Sequence, residues 1–489
     1  MSSKRPNLLY ILSDQHAASV MGCSGDPVAR TPHLDRLADR GVRLTNLYCP
    51  SPICTPSRMS LLTGREPYEN QVWTNENILS GAHATWPHAL GAAGYRPELV
   101  GRLHSRGRDQ LLGYAERAVG DHSPNHPGGP EPARGSLHGT NDPLRVSLSK
   151  TGAGSNPYEF HDEDVTEHAV TRLDEIGRAR TAGDSTPFAL SIGLMLPHQP
   201  YVANREDYDL FDGAVPPPRY PSVSEHPYHA GWRAETGIDD VTADESSRAR
   251  TAYYALVYRM DAMIGRILDA LDRNDLAEDT FVIYLSDHGD HLGEHGLWWK
   301  QTFFEESVRI PGIVSWPGHL PAGTTCDRVA SGTDLTATLL DAAGAPALPN
   351  SSARSMIPIL TENTANSSAW EDRAFSEYVT TSGRTHRMLR RDRWKFCYYA
   401  DQPEQLFDLE SDPHEQVDLG QHPDYATIVA ELRMDLLHDW DPETVQRLCA
   451  ESARDLEVLR VWAERVEPPE QHRWLMEESM SRLDQPQPA

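Results

Sequence analysis

Short apolar runs, each closed by a few polar residues, set the pattern of this chain. Asn7-Leu8-Leu9-Tyr10-Ile11-Leu12 is nearly unbroken and ends in Ser13-Asp14-Gln15. That is the signature of a strand buried on both faces of a mostly parallel sheet. Thr31-Pro32 opens a helical pattern that runs to Ala38, Gly41 stops it, and Val42 to Tyr48 returns to strand character. Cys54-Thr55-Pro56-Ser57-Arg58-Met59-Ser60-Leu61-Leu62-Thr63-Gly64 predicts a short helix with proline in its first turn and a glycine C-cap. Further along, helices are predicted over Thr85 to Ala93, about Asp164 to Ala179 and about Glu245 to Asn274. Strands are predicted over Arg96 to Gly101, Phe188 to Leu196 and Thr280 to Leu285. The alternation implies an α/β fold, a large, mostly parallel central sheet flanked by helices, with any site beyond the carboxyl ends of the strands.

Two stretches break the pattern. Residues from about 120 to 160 are rich in His, Pro, Gly and Ser and are expected to run over the surface as a lid or substrate rim. A second loop-rich stretch spans about 202 to 245. The Ser-, Asn- and Pro-rich segment around 346–370 marks a boundary, giving a catalytic α/β domain over 1–365 and a smaller α+β subdomain over 366–489. In the latter, Arg393 to Tyr399 and Gln405 to Asp408 are expected to form a short antiparallel sheet, followed by acidic helices over roughly 424–439 and 441–465. No internal repeat is evident.

Composition narrows the partners. With 489 residues and a net charge of −27, the chain is large enough for two cores and would be repelled by a phosphate backbone, so nucleic acid is excluded. No apolar run approaches the ~20 residues that span a bilayer, which excludes membrane insertion. Met1-Ser2-Ser3-Lys4-Arg5-Pro6 carries no secretory cleavage pattern, so a cytoplasmic location is expected. Cys23, Cys49, Cys54, Cys326, Cys397 and Cys449 lack C-x-x-C spacing and read as reduced thiols.

The candidate chemistry collects at predicted strand ends. Asp14-Gln15 and Asp287-His288 each follow an apolar strand directly, so both pairs would emerge at one sheet edge and could face one hard cation. Taken singly, an aspartate after a strand is an ordinary turn or cap residue; two such pairs suggest a site. Cys54 at a helix N-terminus lies where free N–H groups favour an anion. Arg102 and His104 follow one strand, His198 follows another in Leu196-Pro197-His198-Gln199-Pro200, and Lys300 lies shortly after His288 in Gly296-Leu297-Trp298-Trp299-Lys300.

On the Cys54-Thr55-Pro56-Ser57-Arg58 segment, the N-L-L-Y-I-L-S-D-Q start, T-P-H-L-D-R-L-A, L-P-H-Q-P, S-D-H-G-D and the Leu406-Phe407-Asp408-Leu409 stretch, the chain resembles type I sulfatases of the alkaline phosphatase superfamily. The Asp-His pair and Trp-Trp-Lys segment look closest to choline-sulfatase-like members. The resemblance implies an alkaline phosphatase-like fold and hydrolysis of a small-molecule sulfate ester to an alcohol or phenol plus sulfate. It also implies that a maturation enzyme oxidises Cys54 to formylglycine, whose hydrate is the nucleophile. One divalent cation is implied, calcium first, with magnesium or manganese as alternatives, bound by Asp14, Gln15, residue 54, Asp287 and His288. Arg58 would sit beside the nucleophile, His104 would take a proton from it, and His198 or Lys300 would protonate the leaving oxygen. Arg102, His198 and Lys300 would bind sulfate oxygens. Arg102 departs from the lysine of many sulfatases; it keeps the charge but, with its high pKa, does not donate a proton readily.

Three alternatives remain at this stage. Phosphonate monoester or phosphodiester hydrolases share the fold and the histidine in the metal pair. His291-Leu292-Gly293-Glu294-His295 matches the inverted zinc-protease pattern, although its glycines argue for a loop. An unmodified Cys54 would leave a binding protein. His16, Trp73, Asn75, Tyr201, Trp298 and Trp299 are rim candidates, and the C-terminal helices could support a homo-oligomer.

Overall fold

The structure, a computed structural model, describes residues 5–220, 223–361 and 369–484. Its main sheet has eight strands: β1 (Asn7–Asp14), β2 (Val42–Leu44), β3 (Pro97–Gly101), β4 (Glu116–Ala118), β5 (Ala189–Pro197), β6 (Thr280–Ser286), β7 (Gly312–Ser315) and β8 (Thr324–Cys326). Their order is β8-β2-β7-β6-β1-β5-β3-β4. Every neighbouring pair is parallel except those made by β7, which runs against both β2 and β6.

The apolar runs feed two cores because strand side chains alternate faces. Leu9 and Ile11 of β1, with Val282 and Tyr284 of β6, enter one core. Leu8, Tyr10 and Leu12, with Phe281, Ile283 and Leu285, enter the other. Helices α1 (Pro32–Asp39), α4 (Pro157–Thr181) and α5 (Ala243–Arg273) cover the first face, and α2 (Cys54–Thr63), α3 (Trp86–Ala92) and α6 (Gly332–Ala343) cover the second.

The smaller unit carries a four-stranded antiparallel sheet, β9 (Arg373–Val379), β10 (Thr385–Arg391), β11 (Trp394–Tyr399) and β12 (Gln405–Asp408), with helices α7 (Ala426–Leu436) and α8 (Pro442–Val466). The boundary expected at 365/366 falls on residues 362–368, outside the described residues. After α8 the chain returns to the main unit. Asn125 N donates to Glu470 Oε2 at 2.6 Å, Trp474 N donates to the Asp121 carbonyl at 2.9 Å, and Arg482–Leu483 pairs with Gly154–Ser155. Contact is so close that a Cβ on Gly120 would lie 1.1 Å from the His472 carbonyl oxygen.

Several expectations need correction. The single strand expected over Val42 to Tyr48 is two: after β2 the chain leaves the large sheet, and Leu47–Tyr48 pairs with Ala330–Ser331. Helix α4 begins at Pro157, where Asn156 caps it by accepting from Tyr158 N. Residues 120–160 are more than a surface excursion, since Asp121, His122, Asn125, Leu137 and Leu148 are buried. Among the described residues no helix is long and apolar enough to cross a membrane.

Candidate active site

Strands β1 and β6 lie side by side in register, Ser13 opposite Ser286, so Asp14-Gln15 and Asp287-His288 leave the sheet together. Helix α2 starts at Cys54 beneath them. Its N-cap, Ile53, offers no side-chain acceptor, and all ten of its residues are buried. Asp14, Cys54, Asp287 and His288 each present a ligand-type atom within 4.8 Å of the others.

Arg58 orders the two carboxylates. Its Nε donates to Asp287 Oδ2 at 2.7 Å and its terminal nitrogen donates to Asp14 Oδ2 at 3.1 Å. Arg102 Nε also donates to Asp14 Oδ2, at 2.6 Å. Both Oδ1 atoms are thereby turned inward, 3.7 Å (Asp14) and 3.5 Å (Asp287) from His288 Nε2. Burial opposes ionisation of Asp14, but Arg102, Arg58 and their cationic neighbours hold its carboxyl well below the usual range. His288 is fixed in complementary fashion. Its Nδ1–H donates to the Gly289 carbonyl at 3.1 Å, leaving the Nε2 lone pair free towards the cluster. Burial, aided by Lys300, lowers the imidazole to about 4.

Cys54 Sγ is the focus of these groups. It lies 3.1 Å from His288 Nε2, 3.2 Å from Lys300 Nζ and 3.6 Å from Asp14 Oδ1. Burial first, and Asp14 next, push the thiol up to about 12, so as a cysteine it is not a thiolate nucleophile at neutral pH. Lys300 Nζ also donates to Gln15 Oε1 at 2.6 Å, while Gln15 Nε2 donates to Gln199 Oε1 and Asp290 Oδ2, each at 2.6 Å.

The two histidines are held as opposite tautomers, assigned by their neighbours. A guanidinium can only donate, and Arg102 donates to His104 Nδ1 at 2.8 Å, so neutral His104 carries its proton on Nε2. His198 Nδ1–H donates to the Gln199 carbonyl at 2.6 Å, which leaves its Nε2 as an acceptor. Both are held well below the ordinary histidine range, by burial in each case, reinforced by Arg102 at His104 and by Lys300 at His198. Neither makes a hydrogen bond to Cys54 among the described residues. Left-handed backbone at Gln15 (φ 67°), His104 (φ 55°) and Trp299 (φ 62°) concentrates strain around the cluster.

All the site residues expected from sequence therefore meet in one buried network, but the rim candidates divide. Asn75 Oδ1 accepts from Thr55 N at 2.9 Å at the helix start. His16, Trp73, Tyr201, Trp298 and Trp299 are all buried, with His16 bonded to Tyr284 and Trp73 to Glu377. Asp121 was missed. It accepts from Arg102 at 3.0 Å and from His104 N at 2.6 Å, anchoring both. No local pattern marks it, because its partners lie some twenty residues upstream across the sheet edge. Asp290, which also accepts from Tyr201 OH at 2.6 Å, was likewise not singled out. The inverted zinc-protease segment is a loop, with His291 Nε2 on Thr302 Oγ1 at 2.6 Å and the Glu294 carboxylate on the Arg219 and Tyr220 amides. Its histidines do not share a helix face.

Fold and site define an ester hydrolase of the alkaline phosphatase superfamily. Residues 6–345 match the Sulfatase family, and residues 293–440 match "N-sulphoglucosamine sulphohydrolase, C-terminal". The chain is 32% identical over 477 residues to the choline-sulfatase of Rhizobium meliloti (strain 1021), covering 92% of this chain and 90% of that protein. It is 29% identical over 441 residues to arylsulfatase K of Homo sapiens, covering 85% and 78%. The phosphonate monoester hydrolase of Agrobacterium radiobacter has the same fold, with a TM-score of 0.72 at 22% identity over 92% of this chain and 96% of that one. The chain belongs to the sulfatase family.

Proposed function

We propose that this sulfatase cleaves sulfate monoesters of small alcohols or phenols in the cytoplasm, using a formylglycine made from Cys54 by a maturation enzyme and one divalent cation, calcium in the first instance. The observation that carries the reading is the position of residue 54, at a helix N-terminus within 3.2 Å of both Lys300 Nζ and His288 Nε2. A thiol held up to about 12 is chemically idle there, whereas a hydrated aldehyde is not. The donor set fits a cation: two inward carboxylate oxygens, the Gln15 amide oxygen and a neutral imidazole nitrogen. When present, the hydrate supplies an oxygen nucleophile with its own release step, and the cation supplies Lewis-acid charge.

The chain's own residues do the rest. Asp14, Gln15, residue 54, Asp287 and His288 would hold the cation, and Arg58 keeps the carboxylates aimed. Lys300 and Arg102 neutralise charge developing on the sulfuryl oxygens in a buried site. The tautomers support the following proton roles. His198 accepts a proton at Nε2, the part expected of His104 from the family resemblance, while His104 offers its Nε2–H to an oxygen of the sulfuryl group. Lys300 Nζ donates to the leaving oxygen.

The phosphonate monoester hydrolase alternative draws support from His288 in the cation pair and from the shared fold. Turnover of an aryl sulfate against an aryl phosphonate by the matured protein tests the choice, with sulfate expected to win and a clear phosphonate preference overturning it. Choline, sugar and alkyl sulfates in the same assay identify the leaving group, choline being the candidate drawn from the 32% identical relative.

A further inference from the structure

A second cluster of ligand-type side chains lies between the two units of the molecule. His295, Glu306 and Glu415 each offer an atom within 4.8 Å of the other two. His295 and Glu306 belong to the main unit and Glu415 to the smaller one. His295 is 3% exposed, held in a left-handed turn (φ 57°) with its ring stacked on Phe304, centroids 4.1 Å apart and planes 8° from parallel. So fixed, its Nε2 is buried without a hydrogen-bond partner, as is Glu306 Oε2, while Glu415 Oε1 is paired with Lys395 at 2.6 Å. Buried polar atoms left unpaired cost roughly 1–3 kcal/mol each. Two such atoms facing each other beside the Glu415 carboxylate suggest a common occupant.

We propose that His295, Glu306 and Glu415 form a second divalent-cation site, of the zinc class, that clamps the smaller unit to the main one. The Nε2 of His295 is 3.6 Å from Glu306 Oε2, too far for a hydrogen bond. Ligands about 2.1 Å from a tetrahedral ion sit about 3.4 Å apart, so the gap suits an ion in between. One imidazole and two carboxylates leave a fourth position open, and Glu306 lines a crevice of about 630 Å³ between the units through which water or a ligand atom reaches it. The charge also fits. The permanent cations serve Glu305 and Glu415: Lys395 lies 2.6 Å from Glu415 Oε1 and 3.0 Å from Glu305 Oε1, Arg309 lies 2.9 Å from Glu305 Oε2, and Arg390 also acts on Glu305. Glu415 Oε2 accepts from Glu305 N at 2.7 Å, which orients its carboxylate. Only Glu306 lacks a permanent partner. The ion's competitor is a proton on His295: burial disfavours the imidazolium, but the Glu306 carboxylate raises it and is itself held at about 2.

Zinc or cobalt titration of the full chain, with residue 54 left as cysteine, decides between them. The wild-type chain is expected to take up one equivalent more than Glu306→Gln or Glu415→Gln. Affinity for that equivalent should fall at least about a hundredfold in each, the upper end of what losing an outer partner costs a metal site. Equal stoichiometry and affinity in all three chains would show that only a proton sits between His295 and Glu306, and would overturn the proposal. X-ray absorption at the zinc edge of the wild-type chain serves if a variant fails to fold. Nitrogen and oxygen scatterers without sulfur are expected for the second equivalent, and sulfur would assign the ion to Cys54 or another thiol and overturn the proposal equally.

Discussion

Arg58 is the site residue whose loss has the most calculable cost. Its side chain is 1% exposed and pairs with two carboxylates, Asp287 at 2.7 Å and Asp14 at 3.1 Å, both fully buried. In Arg58→Met the volume is nearly kept, while among the described residues Asp287 loses its one ion pair with a permanent cation and Asp14 keeps its ion pair with Arg102 and the more distant charge of Lys300. Removing one member of a buried pair costs about 3–5 kcal/mol, because the charge left behind is uncompensated. The denaturant midpoint of the chelator-treated protein should fall by that amount divided by the m-value. A divalent ion supplies part of the missing charge. At about a hundred times its dissociation constant it stabilises by about 2.7 kcal/mol, and more in the variant than in wild type if it sits between these carboxylates. The assay is urea unfolding of both chains with EDTA and with calcium. A deficit below about 0.5 kcal/mol in EDTA, or one that calcium leaves unchanged, refutes the reasoning.

Three further outcomes follow. Intact mass of protein made in a maturing host should be lower than the sequence mass by about one water molecule, and Cys54→Ala should fold but show no turnover. His198 is held below its ordinary range by burial and then by Lys300, so wild-type kcat/KM should stay level as pH falls through 6.5. In Lys300→Gln that restraint goes, His198 titrates higher, and the acid limb of the residual rate should move towards neutrality; an unmoved limb counts against His198 as the proton acceptor. Glu377, buried and accepting from Tyr68 N and Trp73 Nε1, is raised by burial from 4.5 to about 7. Its folded form therefore retains a proton that the unfolded chain releases, and stability falls as pH rises from about 4.5 to about 7, by up to about 3 kcal/mol at 1.36 kcal/mol per unit. Glu377→Gln should flatten that slope in pH-dependent unfolding.

Much of this was legible in the sequence because the central strands are buried on both faces. Runs such as Asn7 to Leu12 and Thr280 to Leu285 need no context to be seen, and the polar pairs that end them mark the sheet edge. The strands β9 and β10 were not legible. Their sequences, RAFSEYV and THRMLRR, carry charges that look exposed. In the fold Arg387 is buried because Phe375 takes its guanidinium 4.1 Å from the ring centroid and the Leu436 carbonyl accepts from it at 3.0 Å. Those partners lie twelve and forty-nine residues away. Asp121 was hidden for the same reason, and so was the tautomer of His104, which depends on where one guanidinium points. The strand expected over Val42 to Tyr48 failed differently: its composition is uniform, but the chain changes sheets at Thr45-Asn46, where Thr45 N and the Asn46 carbonyl bond to Cys326 and Ala330.

The strap formed by residues 470–484 gives the molecule an order in time. It closes over the segment that carries Asp121, and Asp121 in turn fixes Arg102 and His104. During synthesis those last contacts emerge from the ribosome long after α2, so the nascent chain passes through an interval in which residue 54 is made but its surroundings are unfinished. In the completed fold Cys54 is 1% exposed, out of reach of any second protein. Whatever chemistry is to be done on that side chain by another enzyme therefore belongs to the interval before Asp14, His288 and Lys300 have closed around it.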